Sequence, residues 1–521
     1  MRLGRRWSGL TVAVLLLLVA GAGPSHSQPT NTLVVGLVAE PVALDPAQVT
    51  DLNSTRVARR VVETLVRYAD DSTEIVPYLA ESWTISKDGL SYTFKLRRGV
   101  NFHDGTPFNA QAVKFSFERQ FNAEHPANKL GKYPFATYFF GGVKAIEAID
   151  DQTVRFVLKE PRASFLAILI VPAAAIVSPT AVLKLGQDFA VSPVGTGPFK
   201  FASWDRGQRV VLEKNPSYWR FAVKVDRVIF RPITEDQARL TELLTGSIDL
   251  IVGTPPDFVA QLENHPKVTL QKQVGAHVWY LGFNNTKKPF DDRRVRQALN
   301  YAVNKEAIVR DVLKGTGAVS KGPVLPGTWG DEGGLKAFPY DPERAKKLLA
   351  EAGLPSGFST TLWVPESGSG MQSPVAMSTI IQSNLKAVGV NVTLQTMEWG
   401  TFLAKLRTKE QDMFALSWMA GSEDPDLVMY PLLHSSQWTP VGPNRALYKN
   451  PRFDEVLAQA RLVTDQAKRA ELYREAQRLL HDDPPWIFID HEVQTAAFAK
   501  RVQGFKLHPS FDLRVETISL K

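Results

Sequence analysis

Apolar positions along the chain switch repeatedly between period two and the helical period, so strands and helices are expected to interleave from end to end. Ser82 to Leu96 reads as a hairpin. Trp83 and Ile85 alternate with polar residues, Asp88-Gly89 turns the chain, and Tyr92, Phe94 and Leu96 alternate on the return. Asp104-Gly105 marks another turn, and Asn109 is placed to cap a helix carrying Val113 and Phe117 one turn apart. Val154, Phe156 and Leu158 mark a half-buried strand, and Phe165 to Val177, interrupted by Pro172, reads as a buried strand and turn. Asp291 to Gly315 is expected to be one long helix with Val295, Leu299, Ala302 and Val303 on a single face. A second helix has Asp341 as cap, Pro342 at its first position and Gly353 just past its end. Arg452 to His481 reads as a helical pair stopped by Pro484-Pro485. The pattern predicts an α/β protein whose lobes are assembled from non-contiguous segments.

One apolar run does not belong to that pattern. Arg2, Arg5 and Arg6 precede an apolar stretch from Leu10 to Ala22, and Ser25-His26-Ser27 supplies small residues before Gln28. A basic start, a short apolar core and a small-residue site predict a secretory signal peptide over residues 1–27. Taking three arginines and no acid from a net charge of +8 leaves +5 on the exported protein. The chain has 521 residues, enough for about three domains at ~150 residues each. It has no cysteine, which excludes disulfides, thiolate metal sites, a cysteine nucleophile and a cysteine-linked lipid anchor. An exported chain without an anchor points to a periplasm. Charge is otherwise balanced, with no basic run suited to nucleic acid.

Catalytic motifs are missing. There is no Gly-x-Gly-x-x-Gly, Walker loop, His-Glu-x-x-His or Gly-x-Ser-x-Gly. His103-Asp104 belongs to turn chemistry, Ser367-Gly368-Ser369-Gly370 reads as a surface loop, and His434 stands without metal-ligand partners. No enzyme activity, cofactor or metal is expected. Trp279, Trp329, Trp363, Trp399, Trp418 and Trp438 fall in a stretch of 160 residues; such rings suit either a lobe core or a ligand cleft.

A series of short motifs, in order, carries a resemblance. They are Glu40-Pro41-x-x-Leu44-Asp45-Pro46, Pro77-x-Leu79-Ala80-Glu81-Ser82-Trp83, and Asp88-Gly89-x-x-Tyr92-x-Phe94-x-Leu96-Arg97. Phe102-His103-Asp104-Gly105-x-Pro107-Phe108, Val194-Gly195-Thr196-Gly197-Pro198-Phe199 and Gly246-x-Ile248-Asp249 follow. Pro289-Phe290-x-Asp292-x-Arg294-Val295-Arg296, Tyr340-Asp341-Pro342-Glu343 and Glu351-Ala352-Gly353 complete the series. The chain resembles the family-5 solute-binding proteins of ABC importers, the group of dipeptide-, oligopeptide- and nickel-binding proteins, from about residue 33 to 515.

The resemblance implies a type II periplasmic binding protein fold (cluster C): two lobes with a hinge, plus an extra domain inserted in the first lobe. The divisions expected are 28–75, 190–268 and 490–521 for the first lobe, 76–189 for the insertion and 269–489 for the other lobe. It also implies periplasmic capture of a peptide-like or other small organic solute by a monomer, with delivery to an inner-membrane ABC permease and no nucleic-acid partner. Presentation of ligand to a sensory receptor, and secreted hydrolysis, are the alternatives. The resemblance places the pocket at Val38, Ala39 and Glu40 after the first strand, at Trp399 and Trp418, and along Met419, Ala420, Gly421, Ser422, Glu423 and Asp424. Trp279 joins them as a cleft candidate. Peptide-binding members place an Asp where Gly421 stands and an Arg within the segment matching Glu366 to Met371, which here has none. Both peptide-end anchors are therefore expected to be missing. Glu423 or Asp424 could replace the acid, but Asp424-Pro425-Asp426 also reads as a helix cap.

Overall fold

The structure, a computed structural model, describes residues 31–368, 370–419 and 423–521; the expected signal segment lies outside them. Strands from both ends of the chain meet in a twelve-stranded mixed sheet. One flank contains Phe199–Asp205, Arg209–Lys214, Arg227–Pro232, Thr32–Leu37 and Leu250–Val252; the other contains Val390–Met397, Phe358–Pro365, Met413–Met419 and His277–Phe283. Thr32–Leu37 is buried at all six positions because it pairs in parallel on both edges and is covered on both faces.

Between the flanks runs Trp486–Ala499, fourteen residues long. Its first half pairs with His277–Phe283, Gly282 opposite Trp486, and its second half pairs with Leu250–Val252 and Val268–Val274. One strand thus serves both halves of the molecule. Val268–Val274 and His277–Phe283 return antiparallel beside it, separated by Gly275-Ala276. A Cβ at Gly275 would lie 2.1 Å from the Phe511 ring, so only glycine admits that ring at the crossing. Phe511 itself holds φ +61°, a conformation rare for a bulky residue.

The predicted hairpin is Ala80–Ile85 paired with Ser91–Leu96 across a turn in which Gly89 has φ +69°. Together with Thr153–Leu158 and Val143–Asp150 it makes a separate four-stranded antiparallel sheet. Tyr92, Phe94 and Leu96 are buried in it, whereas Ile85, on the edge strand, is exposed. Helix Ala110–Phe121 starts where expected, with Asn109 accepting from the Ala112 amide at 3.0 Å. Asp341 caps Pro342–Glu351 and Gly353 follows it at φ +83°. The helical pair is Pro451–Leu462 and Gln466–Asp482.

Two expectations are corrected. The long helix from Asp291 is broken: Arg293–Ala302 ends at an extended Val303, and Asn304 restarts the chain by accepting from the Ala307 amide. The Asn304 side chain offers the backbone a cap, and that ends helical continuity. Phe165 to Val177 forms a short helix, Phe165–Ile168, and a turn at Pro172–Ala174 in place of a strand. The run is buried as expected, because these apolar residues pack beneath the small sheet.

Gly195 and Gly197 lie just before strand Phe199–Asp205. A Cβ on them would sit 2.3 Å from the Val61 carbonyl oxygen and 2.6 Å from that of Arg60. Their role is close backbone approach. His103 belongs to the same joint, its Nε2 2.9 Å from the Gly197 carbonyl oxygen, and burial lowers its pKa to about 4. Among the described residues no helix is long and apolar enough to cross a membrane, and no group of three potential ligands could hold a metal ion.

Candidate functional site

A cavity of about 340 Å³ opens where three parts of the chain meet. The first helix, Leu52–Ala58, and the segment Ser510–Asp512 form one wall. Phe135, Phe139 and the Ala167–Ala173 turns form the second. Trp399, Trp418, Met419 and Gly442–Arg445 form the third. Most of this lining is aromatic or aliphatic, and its size is at the small end for a small-molecule site.

The walls are held to one another by polar contacts outside the cavity. Asp426, fully buried at the start of helix Asp426–Leu433, accepts from Ser164 Oγ at 2.5 Å, while Arg461 and Arg162 stand 3.5 and 3.9 Å from its carboxylate. The Ala163 amide donates to the Arg461 carbonyl oxygen at 3.0 Å, and Tyr138 Oη donates to the Asp426 carbonyl oxygen at 3.3 Å. Trp418 meets the Phe135 ring edge-on, with centroids 6.3 Å apart.

The first helix brings charge to the cavity. Asp51 caps it, accepting from the Ser54 amide at 3.0 Å and the Ser54 hydroxyl at 2.5 Å. Arg56, Arg59 and Arg60 follow within five positions and meet different fates. Arg60 is buried and paired with Asp512 and Glu516, both at 2.5 Å. Burial alone would push the Asp512 carboxyl up, but Arg60, Arg59 and Arg514 together hold it well below the usual carboxylate range. Arg59 donates to the Ile170 carbonyl oxygen at 2.6 Å and approaches Asp512 at 3.8 Å. Arg56 is 7% exposed and lines the cavity, yet among the described residues no hydrogen bond or ion pair holds its guanidinium, and its Nε is buried without a partner. Burial lowers its pKa to about 10, against weaker opposing pulls from Glu492, Asp51 and Asp512.

Arg445 stands across from this wall. It donates to Thr439 Oγ1 at 2.5 Å and to the Gly442 carbonyl oxygen, and burial, with Arg407 nearby, lowers its pKa to about 10. Arg407 donates to the Pro440 carbonyl oxygen. Four arginines therefore line the cavity against two aspartates, both of which are already engaged.

Of the residues expected at the pocket, Trp399, Trp418 and Met419 line this cavity. Trp418 Nε1 donates to the Leu427 carbonyl oxygen at 2.9 Å, whereas Trp399 Nε1 is buried without a partner. Ala39 and Glu40 line a separate open groove that Trp399 also borders. The Glu40 carboxylate is occupied there, accepting from Trp204 Nε1 at 3.0 Å and the Gly207 amide at 2.9 Å. Val38 is half-buried beside Gly253. Trp279 is 1% exposed and sits in the core of its own lobe, not on the cavity wall, because its strand is covered on both faces.

Asp424 serves the fold. It accepts from the Asp426 amide at 3.0 Å and binds Arg469 through both oxygens at 2.8 and 3.0 Å. Glu423 borders a small void of about 20 Å³ shared with His277 and Thr328. Ala420, Gly421 and Ser422 lie outside the described residues. Arg56, Arg445, Phe135 and Phe511 were not anticipated. For Arg56 a signal existed: three arginines within five positions, interleaved with Val57, Ala58 and Val61, place cations on a helix that must be largely buried. The other three come from distant segments and have no local signature.

The fold is shared with known proteins. The sequence profile of the bacterial extracellular solute-binding proteins, family 5 middle region, matches residues 74–440. Heme-binding protein A of Haemophilus influenzae is 36% identical, with 96% of each chain covered. The glutathione-binding protein GsiB of Pectobacterium atrosepticum is 35% identical over 98% of this chain and 97% of its own. Among solved structures, the periplasmic binding protein DppA of Helicobacter pylori in complex with the peptide STSA superposes with a TM-score of 0.88. It is 34% identical, and the match covers 94% of this chain and 98% of that one.

Proposed function

Since this chain belongs to the bacterial extracellular solute-binding proteins of family 5, we propose that its cavity captures a small, peptide-like or other organic solute by closure of the lobes and delivers it to an ABC permease in the inner membrane. The observation that carries this reading is the cavity itself. It is aromatic-walled, assembled from three separate parts of the chain and bordered by contacts that span them. Apolar walls supply most of the binding free energy, and a few donors orient the solute.

The divisions follow the same logic. Residues 28–75, 190–268 and 490–521 make the first lobe, 76–189 the inserted domain and 269–489 the other lobe. The separate four-stranded sheet and its own apolar core support the insertion. The shared strand Trp486–Ala499 and the neighbouring crossing at Gly275 are where two lobes can rotate. The protein works as a periplasmic monomer once residues 1–27 have been removed. Trp399, Trp418 and Met419 contact the solute.

Mass spectrometry of compounds released by denaturing the purified protein tests this reading. One low-mass organic solute is expected, and on re-addition it raises Tm and compacts the protein in small-angle scattering. Release of nothing small, with no stabilisation by amino acids, di- and tripeptides or glutathione, overturns it.

A further inference from the structure

The unsatisfied hydrogen-bonding capacity on the cavity wall has one sign. Among its described residues the buried side-chain atoms without partners are Arg56 Nε and Trp399 Nε1, and both are donors. A largely buried guanidinium with no carboxylate on it is costly, and a ligand anion reaching it from the cavity offsets that cost. Arg56 is a short distance along the chain from Arg60, which shows what a structural arginine in this segment looks like: two carboxylates at 2.5 Å. Among the described residues no carboxylate is hydrogen-bonded or ion-paired to Arg56; Glu492, whose charge pulls on it most, is not in contact with it and does not line the cavity.

The opposite charge is not offered to a ligand. Asp51 is committed to its helix cap and Asp512 to Arg60, Arg59 and Arg514. Asp424 is held by Arg469 and Glu40 by Trp204 and Gly207. Residues 420–422 are Ala-Gly-Ser and contribute no carboxylate by composition. An ammonium group entering this cavity would meet four arginines and no uncommitted acid.

We propose that Arg56 is the anion anchor of the cavity and that the captured solute is an organic acid. Its carboxylate is clamped by the Arg56 guanidinium, its body lies against Trp399, Trp418 and Phe135, and it needs no free amino group. This rests on the solute-capture reading and narrows its substrate class. A planar guanidinium matches a carboxylate with two parallel hydrogen bonds, which a lysine cannot reproduce. The apolar walls favour a carboxylate carried on an aromatic or aliphatic body over a small inorganic anion.

The test uses matched pairs of probes: N-acetylated amino acids and dipeptides as acids and as primary amides, together with free dipeptides. They are titrated by calorimetry and thermal shift into wild-type protein, Arg56→Gln and Arg56→Lys. Acids are expected to bind and raise Tm while the corresponding amides do not. Arg56→Gln should weaken the acids by about 10- to 100-fold and Arg56→Lys by less, as expected for loss of charge-assisted hydrogen bonds. The ligand-free Tm of Arg56→Gln should be no lower than that of wild type, so lost binding is not lost folding. Equal binding of acids and amides, preference for free over N-acetylated dipeptides, unchanged binding by Arg56→Gln, or no acid bound at all overturns the proposal. Solute released from the purified protein judges the capture reading separately. A neutral or cationic compound there leaves capture standing and removes the acid assignment.

Discussion

Arg56 and Arg60 are one helical turn apart in the chain and occupy opposite electrostatic situations. Arg60 is off the cavity lining and places its two terminal nitrogens on carboxylates, Nη1 on Glu516 and Nη2 on Asp512. Arg56 points to the cavity and has no such partner among the described residues. Both are buried, so burial does not distinguish them; pairing does. A buried charge that the fold itself satisfies is part of the architecture. Unpartnered nitrogens alone do not mark a site, since Arg162 and Arg239 also have them; Arg56 differs in having no ion pair and in lining the cavity.

The contrast can be broken by substitution. Arg60→Met leaves Glu516 without its cation and Asp512 with only the more distant Arg59 and Arg514, and is expected to cost about 3–5 kcal/mol in denaturant unfolding. A loss below about 1 kcal/mol would put Arg60 in the same class as Arg56. The tryptophans supply a parallel pair. Trp279→Ala, in a lobe core, should destabilise by about 3–5 kcal/mol. Trp418→Ala, on the cavity wall, should show its main effect as weakened solute binding in calorimetry.

Acid titration sharpens the comparison further. The Asp512 carboxyl is held below its unfolded value by its arginines, so the folded state binds fewer protons there. That stability is present above the unfolded pKa and is lost as pH falls from about 4 through the lower folded pKa. In Asp512→Asn the decline in Tm below about pH 4 should be shallower than in wild type, whereas in Arg56→Met it should keep the wild-type slope. The smallest effect is expected on the surface. Arg310, exposed and paired only with its neighbour Asp311, should give no measurable change in Tm or binding on conversion to Gln.

Local elements were legible wherever a few adjacent residues decide them. Asn109 and Asp341 cap the helices they were expected to cap, and Tyr92, Phe94 and Leu96 face inward on alternate positions. The break after Arg293–Ala302 was not legible, because Val303 continues the apolar face and only Asn304, capping in place of continuing, ends the helix. At the site, Trp399, Trp418 and Met419 were reached through a resemblance in motif order. Trp279 shares their composition and periodicity but was sent to a core by strands pairing on both sides of it. Glu40 and Asp424 carry no local sign that they are engaged, because their partners Trp204, Gly207 and Arg469 lie 45 to 167 residues away along the chain.

The chain by itself determined its turns, caps and strand periodicity, the absence of thiol chemistry and, through motifs in order, its family. These depend on contacts within a few residues or on the ordered series as a whole. Only the tertiary structure decided which buried charges are satisfied, because an arginine and its carboxylate meet across hundreds of residues: Arg60 finds Glu516 at a separation of 456. The same long-range geometry leaves Arg56 facing a cavity, and sequence spacing carries no record of a partner that is absent.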